Sequence, residues 1–217
     1  FFAKDIILPD IPEHTTNRSK TETYAVFLSD LHVGSKFFME EELSDFIKWI
    51  SSADPIARKI RFVVIGGDLI DGVGVFPGQD KVLDQLTTED QLQKTFEVLD
   101  KIPKHIKVML ISGNHDAGRK ALPQPAIPKI YNSELWDREN FFMLGNPSMV
   151  SLNGVKVLMY HGQSIDDVVR TTPGVSYDKP AAVMRHFLKA RHMSPIYGSR
   201  TPIAPETEDM MVIDDVP

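Results

Sequence analysis

An α/β fold is predicted by the 217-residue sequence on three grounds. Apolar runs of strand length alternate with segments whose apolar residues recur at helical spacing. Each run opens into a turn rich in glycine and polar residues. Those turns carry Asp, His and Asn, at the strand ends where open α/β sheets place their sites.

Taken in order, residues 1–23 hold Pro9, Pro12 and the polar run Glu13–Glu22, and read as an extended connector from an upstream domain. Residues 24–217 form the remaining domain. Tyr24–Leu28 is expected to be a buried strand. Leu43, Phe46, Ile47 and Ile50 make one apolar stripe on a helix near Glu40–Ser51. Ile60–Ile65 is a continuous apolar run, as suits a parallel strand covered on both faces. Residues 72–86 read as a long loop. Thr88 with Gln91 forms a capping box for a helix reaching about Lys101, with Leu92, Phe96 and Leu99 inward and Pro103 as its stop. Strand three is Val108–Ile111. The Pro-rich stretch Leu122–Pro128 is expected to drape over the surface. Asn153-Gly154 between Met149–Leu152 and Val155–Tyr160 signals a hairpin, which makes the sheet system mixed. A helix is expected near Pro180–Ala190, followed by an irregular tail and the apolar Met210–Ile213.

Composition excludes several classes. Hydrophobic content of 42% and charged content of 25% are those of a globular protein. No run approaches the roughly 20 apolar residues of a membrane span, so no membrane partner is expected. The opening Phe1-Phe2-Ala3-Lys4-Asp5 does not read as a signal peptide. The absence of cysteine rules out disulfides and thiolate metal sites and fits a cytoplasmic protein. A net charge of −6 argues mildly against a free-standing nucleic-acid binder, although cations bound to carboxylates reverse that sign locally.

The chemistry sits in four clusters: Asp30-Leu31-His32, Gly66-Gly67-Asp68-Leu69-Ile70-Asp71, Gly113-Asn114-His115-Asp116 and His161-Gly162. Alone, each has a bland reading as a polar turn. In series after four strands, they bring carboxylate, imidazole and amide donors to one edge of one sheet, as a two-metal hydrolytic site requires. Such donors suit Mn²⁺, Mg²⁺, Fe or Zn²⁺, with Mn²⁺ the expected ion. The Asp-x-His spacing puts both side chains on one side of an extended segment. Asp68, with two carboxylate oxygens, is the candidate bridge. His115 differs in kind, facing substrate to stabilise phosphoryl oxygens or protonate a leaving alcohol, with Asp116 or Asp71 orienting it. His14, His186 and His192 read as solvated, His105 as marking a loop before strand three, and Trp49 and Trp136 as packing residues.

These clusters, with Ser29–Ser35, Pro123-Gln124-Pro125, Gly145-Asn146-Pro147, Tyr160–Val168 and Arg200–Pro205, resemble the calcineurin-like metallophosphoesterases. More narrowly they resemble the small subunits of archaeal D-family DNA polymerases, over nearly the whole chain. The resemblance implies a sandwich of two mixed β-sheets flanked by helices. It implies a metal-dependent 3′–5′ DNA exonuclease that proofreads for a large catalytic subunit, releasing nucleoside monophosphates from the 3′ end of the primer strand. Carried over by position, Asp30, His32 and Asp68 hold one metal and Asp68, Asn114 and His161 the second, with His115 catalytic. The family pattern also has a Gly-His-x-His motif after an apolar strand such as Met210–Ile213, and an upstream oligonucleotide-binding-type domain. The chain is therefore expected to be a fragment, C-terminally incomplete, with weakened metal affinity. The alternatives are a non-catalytic scaffold subunit, against which the intact donor cluster argues, and a phosphoesterase with another substrate, which only the narrower resemblance disfavours.

Overall fold

The computed structural model describes residues 17–131 and 133–214. Four strands, β1 (Tyr24–Leu28), β2 (Ile60–Ile65), β3 (Lys107–Ile111) and β4 (Phe141–Leu144), form a parallel sheet in the order β1-β2-β3-β4. The long apolar runs of β2 and β3 are central, where both faces are covered. Tyr24–Leu28 is not the buried strand expected from its composition. Among the described residues it has one neighbour and lies at an edge, with Tyr24 and Phe27 exposed.

Alternation of side chains decides what lies on each face. Val63, Ile65, Val108 and Leu110 point to one side, against the apolar stripes of α1 (Glu40–Ile50) and α2 (Thr88–Leu99). Val64, Met109 and Ile111 point to the other, against Leu152 and Met159 of a hairpin made by β5 (Ser148–Leu152) and β6 (Val155–Met159). Period two continues through the hairpin. Leu158 and Tyr160 emerge on its far side and pack with Val168, Val183 and Phe187, carried by α4 (Ile165–Thr171) and α5 (Pro180–Ala190). The layers run helices, parallel sheet, antiparallel hairpin, helices, and a short α3 (Ser133–Trp136) precedes β4. A fully buried aliphatic such as Ile65 contributes about 2 kcal/mol by leaving water.

Several expectations change on contact with the structure. Parallel and antiparallel pairing segregate into separate sheets among the described residues, rather than mixing within each. The cap of α2 is Thr87, whose Oγ1 accepts from Asp90 N at 3.1 Å, because Gln91 is turned inward to hold Gly72. The Pro-rich stretch is irregular but does not lie on the surface: Leu122 and Gln124 are buried and bridge to Ile203 and Asn146. Met210–Ile213 is a turn with one bridge, Val212 to His192, while Met211 and Ile213 fill the second core. Most of the 1–23 connector lies outside the described residues. Its end docks where Asn153, in the hairpin turn, donates to Thr21 Oγ1 and Thr23 Oγ1 at 3.1 and 2.9 Å. No helix among the described residues is long and apolar enough to cross a membrane.

Candidate metal centre

The loops after β1, β2 and β3 lie side by side, and the segment after β6 reaches them from the second sheet. Asp30, His32, Asp68, Asn114, His115 and His161 therefore converge, but from two sheets rather than the single sheet edge expected. Nor are Asp30 and His32 on an extended segment. Asp30, His32 and Asp68 have φ of +57°, +48° and +52°, a left-handed backbone that costs about 1 kcal/mol or more at each non-glycine residue. The loops hold that conformation by lacing together: Asp30 N, His32 N and Val33 N donate to the carbonyls of Gly67, Asp68 and Leu69 at 3.0, 3.1 and 2.9 Å. Strain concentrated on candidate ligands and supported in this way points to a placed functional group rather than a turn.

Two glycines let the loops approach. A Cβ on Gly113 would lie 2.1 Å from Asp68 Oδ1, and one on Gly67 would lie 2.7 Å from His161 Nδ1. Asp116, fully buried, joins the second and third loops by accepting from Leu69 N at 2.8 Å, Ile70 N at 3.2 Å and Gly113 N at 2.8 Å. Burial pushes its carboxyl up to about 6 despite those donors. It does not reach the His115 ring. Asp71 does, through its carbonyl, 2.6 Å from His115 Nδ1.

Around Asp68 the donors form one group. His161 Nε2 is 3.4 Å from Asp68 Oδ2 and 2.9 Å from Asn114 Oδ1. His32 Nε2 is 3.8 Å from both Asp30 Oδ1 and Asp68 Oδ2. Two atoms bonded to one cation at about 2.1 Å lie roughly 3–4 Å apart, so these spacings fit metal binding. Asp30, Asp68 and His161 form one cluster of ligand-capable atoms; His32, Asp71 and His115 form an adjoining one. His161 Nδ1 sits 2.8 Å from the Gly66 carbonyl, to which it donates, leaving Nε2 its lone pair. His32 Nδ1 lies 3.1 Å from Asp71 Oδ1, off hydrogen-bonding angle and otherwise unpartnered. Ser29 Oγ donates to Asp30 Oδ2.

Electrostatics follow from this packing. Burial opposes charge on both Asp68 and His161, yet their mutual attraction wins. Asp68 is held below its ordinary value, helped by the His115 N–H donated to Oδ1 at 2.8 Å. His161 is raised to about 8 by Asp68, the Gly66 carbonyl and Asp30. A cation bound here would take the place of that proton.

Three supporting residues were not assigned roles by sequence reasoning. Buried Asn146 accepts from His161 N at 3.0 Å and donates to Gln124 Oε1 at 2.7 Å; Gln124 Nε2 in turn donates to the Gly113 carbonyl at 2.9 Å. Buried Gln79 donates to the carbonyl and carboxylate of Asp71. Gln124 and Asn146 stood within motifs that carried the family resemblance, which was the available signal. Gln79 had none. His192 is not free but lies 3.0 Å from Asp209 Oδ2, and His14 lies outside the described residues.

Fold and site define an α/β protein with a carboxylate–imidazole centre at the carboxyl ends of a parallel sheet. The DNA polymerase alpha/epsilon B-subunit family matches residues 25–217, and the chain belongs to it, among the small subunits of archaeal D-family DNA polymerase. It is 46% identical over 222 residues to the DNA polymerase II small subunit of Archaeoglobus fulgidus, covering 100% of this chain and 45% of that one. It is 39% identical over 221 residues to that of Methanothermobacter thermautotrophicus, covering 99% and 45%. With that of Methanocaldococcus jannaschii it shares 39% over 219 residues, covering 98% and 37%. The chain spans less than half the length of each of these relatives.

Proposed function

We propose that this chain is the hydrolytic domain of a metal-dependent 3′–5′ DNA exonuclease, of calcineurin-like metallophosphoesterase type, that proofreads beside a large catalytic subunit. The observation that carries the reading is the convergence of Asp30, Asp68, Asn114 and His161 at ligand spacing on strained, cross-braced loops. A scaffold surface has no use for a cluster of acids and imidazoles in which the Asp68 and His161 side chains are buried and costly to desolvate.

Asp30, His32 and Asp68 would hold one divalent ion and Asp68, Asn114 and His161 a second, with Mn²⁺ the expected metal. Such a pair supplies an activated water and neutralises charge on a phosphodiester. The chain's own residues do the rest. The Gly66 carbonyl fixes the His161 tautomer, and Asn146 fixes its backbone. The Asp71 carbonyl accepts from His115 Nδ1, and His115 lines a cleft of about 540 Å³ together with Asp30 and His32. In its protonated form the ring would carry a second proton, on Nε2, to donate to a phosphoryl oxygen or to the departing 3′ oxygen.

The test is Mn²⁺-dependent release of mononucleotides from a 3′-mismatched primer by the intact protein, with and without the large subunit. Asp68→Ala should abolish release with the fold kept, and His115→Ala should lose turnover while still binding Mn²⁺. No release by the wild type in either form would leave a scaffold subunit, or a phosphoesterase with another substrate, as the function.

A further inference from the structure

We infer that Phe37, Met39 and Phe76 form a stacking wall for an unpaired 3′-terminal nucleobase, so that the centre selects frayed DNA ends over paired ones. The inference rests on the phosphodiester reading above and adds to it the part of the substrate that decides specificity.

The cleft beside the centre has two unlike sets of lining residues: Asp30, His32 and His115, and Phe37, Met39 and Phe76. The three apolar residues are 77%, 63% and 45% exposed, and none belongs to the core. Their neighbours Phe38 and Leu43 do pack inward against the α1 and α2 cluster, so the segment has a core-facing side and leaves Phe37 and Met39 off it. Large apolar groups gathered at the rim of an acidic site mark a binding surface more than a packing accident.

The wall stands on fixed backbone. Lys36 N donates to the Val82 carbonyl at 2.9 Å, Phe38 N to the Ser35 carbonyl at 3.1 Å, and Asp84 N to the Gly34 carbonyl at 2.7 Å. These bonds tie the segment carrying Phe37 and Met39 to the loop carrying Phe76. That loop is itself held by Gln79, whose Oε1 accepts from Val75 N at 2.9 Å. The backbone beneath Phe37 and Phe76 is thereby braced across the two segments.

Charge and stacking then name the occupant. Glu42 lines the same cleft and would repel a phosphate, so the face of a base, not the sugar–phosphate backbone, fits against the rings. A base on an aromatic wall gains roughly tenfold in affinity, whatever its identity. A paired terminal base is already stacked on its neighbour and tied to its complement, so the gain falls to the unpaired end.

The experiment places 2-aminopurine at the 3′ terminus of single-stranded and fully paired DNA and follows its fluorescence with the intact protein, Ca²⁺ replacing Mn²⁺ to keep the DNA whole. The wild type should quench the single-stranded probe. Phe37→Ala and Phe76→Ala should each lose that quenching and bind the single-stranded end roughly tenfold more weakly, with a smaller loss for the paired end. Phe37→Trp should keep both. Undiminished quenching in the two alanine variants overturns the inference. So does weakened association with the large subunit at unchanged DNA binding, which would make the wall a protein interface. Quenching without nucleotide release in Mn²⁺ would remove the nuclease reading and leave the wall; release without quenching would do the reverse.

Discussion

Asn146 and Gln124 are joined side chain to side chain at 2.7 Å and backbone to backbone in both directions, at 2.8 and 2.9 Å. Through this pair His161, from the second sheet, is tied to Gly113, at the end of β3 in the first. Two sheets that meet through apolar side chains alone would set their relative position to no better than packing tolerates. Directional hydrogen bonds between buried amides fix it further. Asn146→Leu removes both the acceptor for His161 N and the donor to Gln124, leaving buried groups unpaired. The expected cost is about 2–3 kcal/mol of stability, read by urea unfolding. Mn²⁺ affinity, read by calorimetry on the folded variant, should fall by at least tenfold. Unchanged metal affinity would show that packing alone sets the register between the sheets.

Gln79 does for the two outer histidines what Asn146 does for His161. Its Nε2 donates to the Asp71 carbonyl at 2.9 Å and to Asp71 Oδ2 at 2.7 Å, and Asp71 in turn faces His115 and His32. Gln79→Ala should lower the rate of nucleotide release at saturating DNA about tenfold, as a misaimed general acid does, apart from any loss of DNA affinity through the Phe76 loop that Gln79 Oε1 also holds. A loss confined to affinity would mean that the loop serves binding and not the aim of His115.

Asp167 anchors the segment after α5. Its Oδ1 accepts from Ser199 Oγ at 2.6 Å and Arg200 N at 3.0 Å, and its Oδ2 from Thr201 N at 3.0 Å. Burial works against its charge, but these donors outweigh burial and bring the carboxyl down to about 2 from an ordinary 3.8. A depressed carboxylate adds stability that is fully present above 3.8 and lost as pH falls through 2. Asp167→Asn should therefore cost on the order of 2 kcal/mol at neutral pH. The gap between wild type and variant in urea melts should narrow only on acidification below the ordinary carboxylate range. A gap constant with pH would assign the effect to shape instead of charge.

How far the sequence spoke depended on whether a signal was local. β2 was legible as a run of apolar residues, α1 by its stripe, and the hairpin by Asn153-Gly154, since each is encoded within a few adjacent positions. β4 escaped because four residues carry little periodicity and its pairing partner, β3, lies far back in the chain. α4 is seven residues opening on Asp166 and Asp167, and its stability comes from the core it closes. At the site, the convergence of Asp, His and Asn was readable because four such clusters follow strands in series, although each alone reads as a polar turn. Their backbone was not: left-handed φ at Asp30 and His32 depends on carbonyls of another loop. For the same reason no pattern announced Gln79, whose role is defined by Asp71 across a turn of the loop.

Asp30 offers the sharpest test of metal binding, because its side chain is half exposed and its removal opens no cavity. With chelator present, Asp30 stands beside the Asp68 carboxylate, which opposes its charge, and beside His161, whose proton it favours. Asp30→Asn keeps the shape and loses both effects, so its melting temperature in chelator should stay near or above that of the wild type only where the repulsion dominates, and otherwise fall slightly below it. Mn²⁺ should shift the difference in favour of the wild type. A ligand present at a hundred times its dissociation constant stabilises the fold that binds it by about 2.7 kcal/mol, a shift of several degrees for the wild type. The variant, short of one donor on that cation, should gain a fraction of it. Differential scanning calorimetry of the intact protein and its variant, in chelator and in Mn²⁺, reads that shift directly. Equal Mn²⁺ stabilisation of both proteins would remove Asp30 from the metal centre, and no stabilisation of either would remove the centre itself.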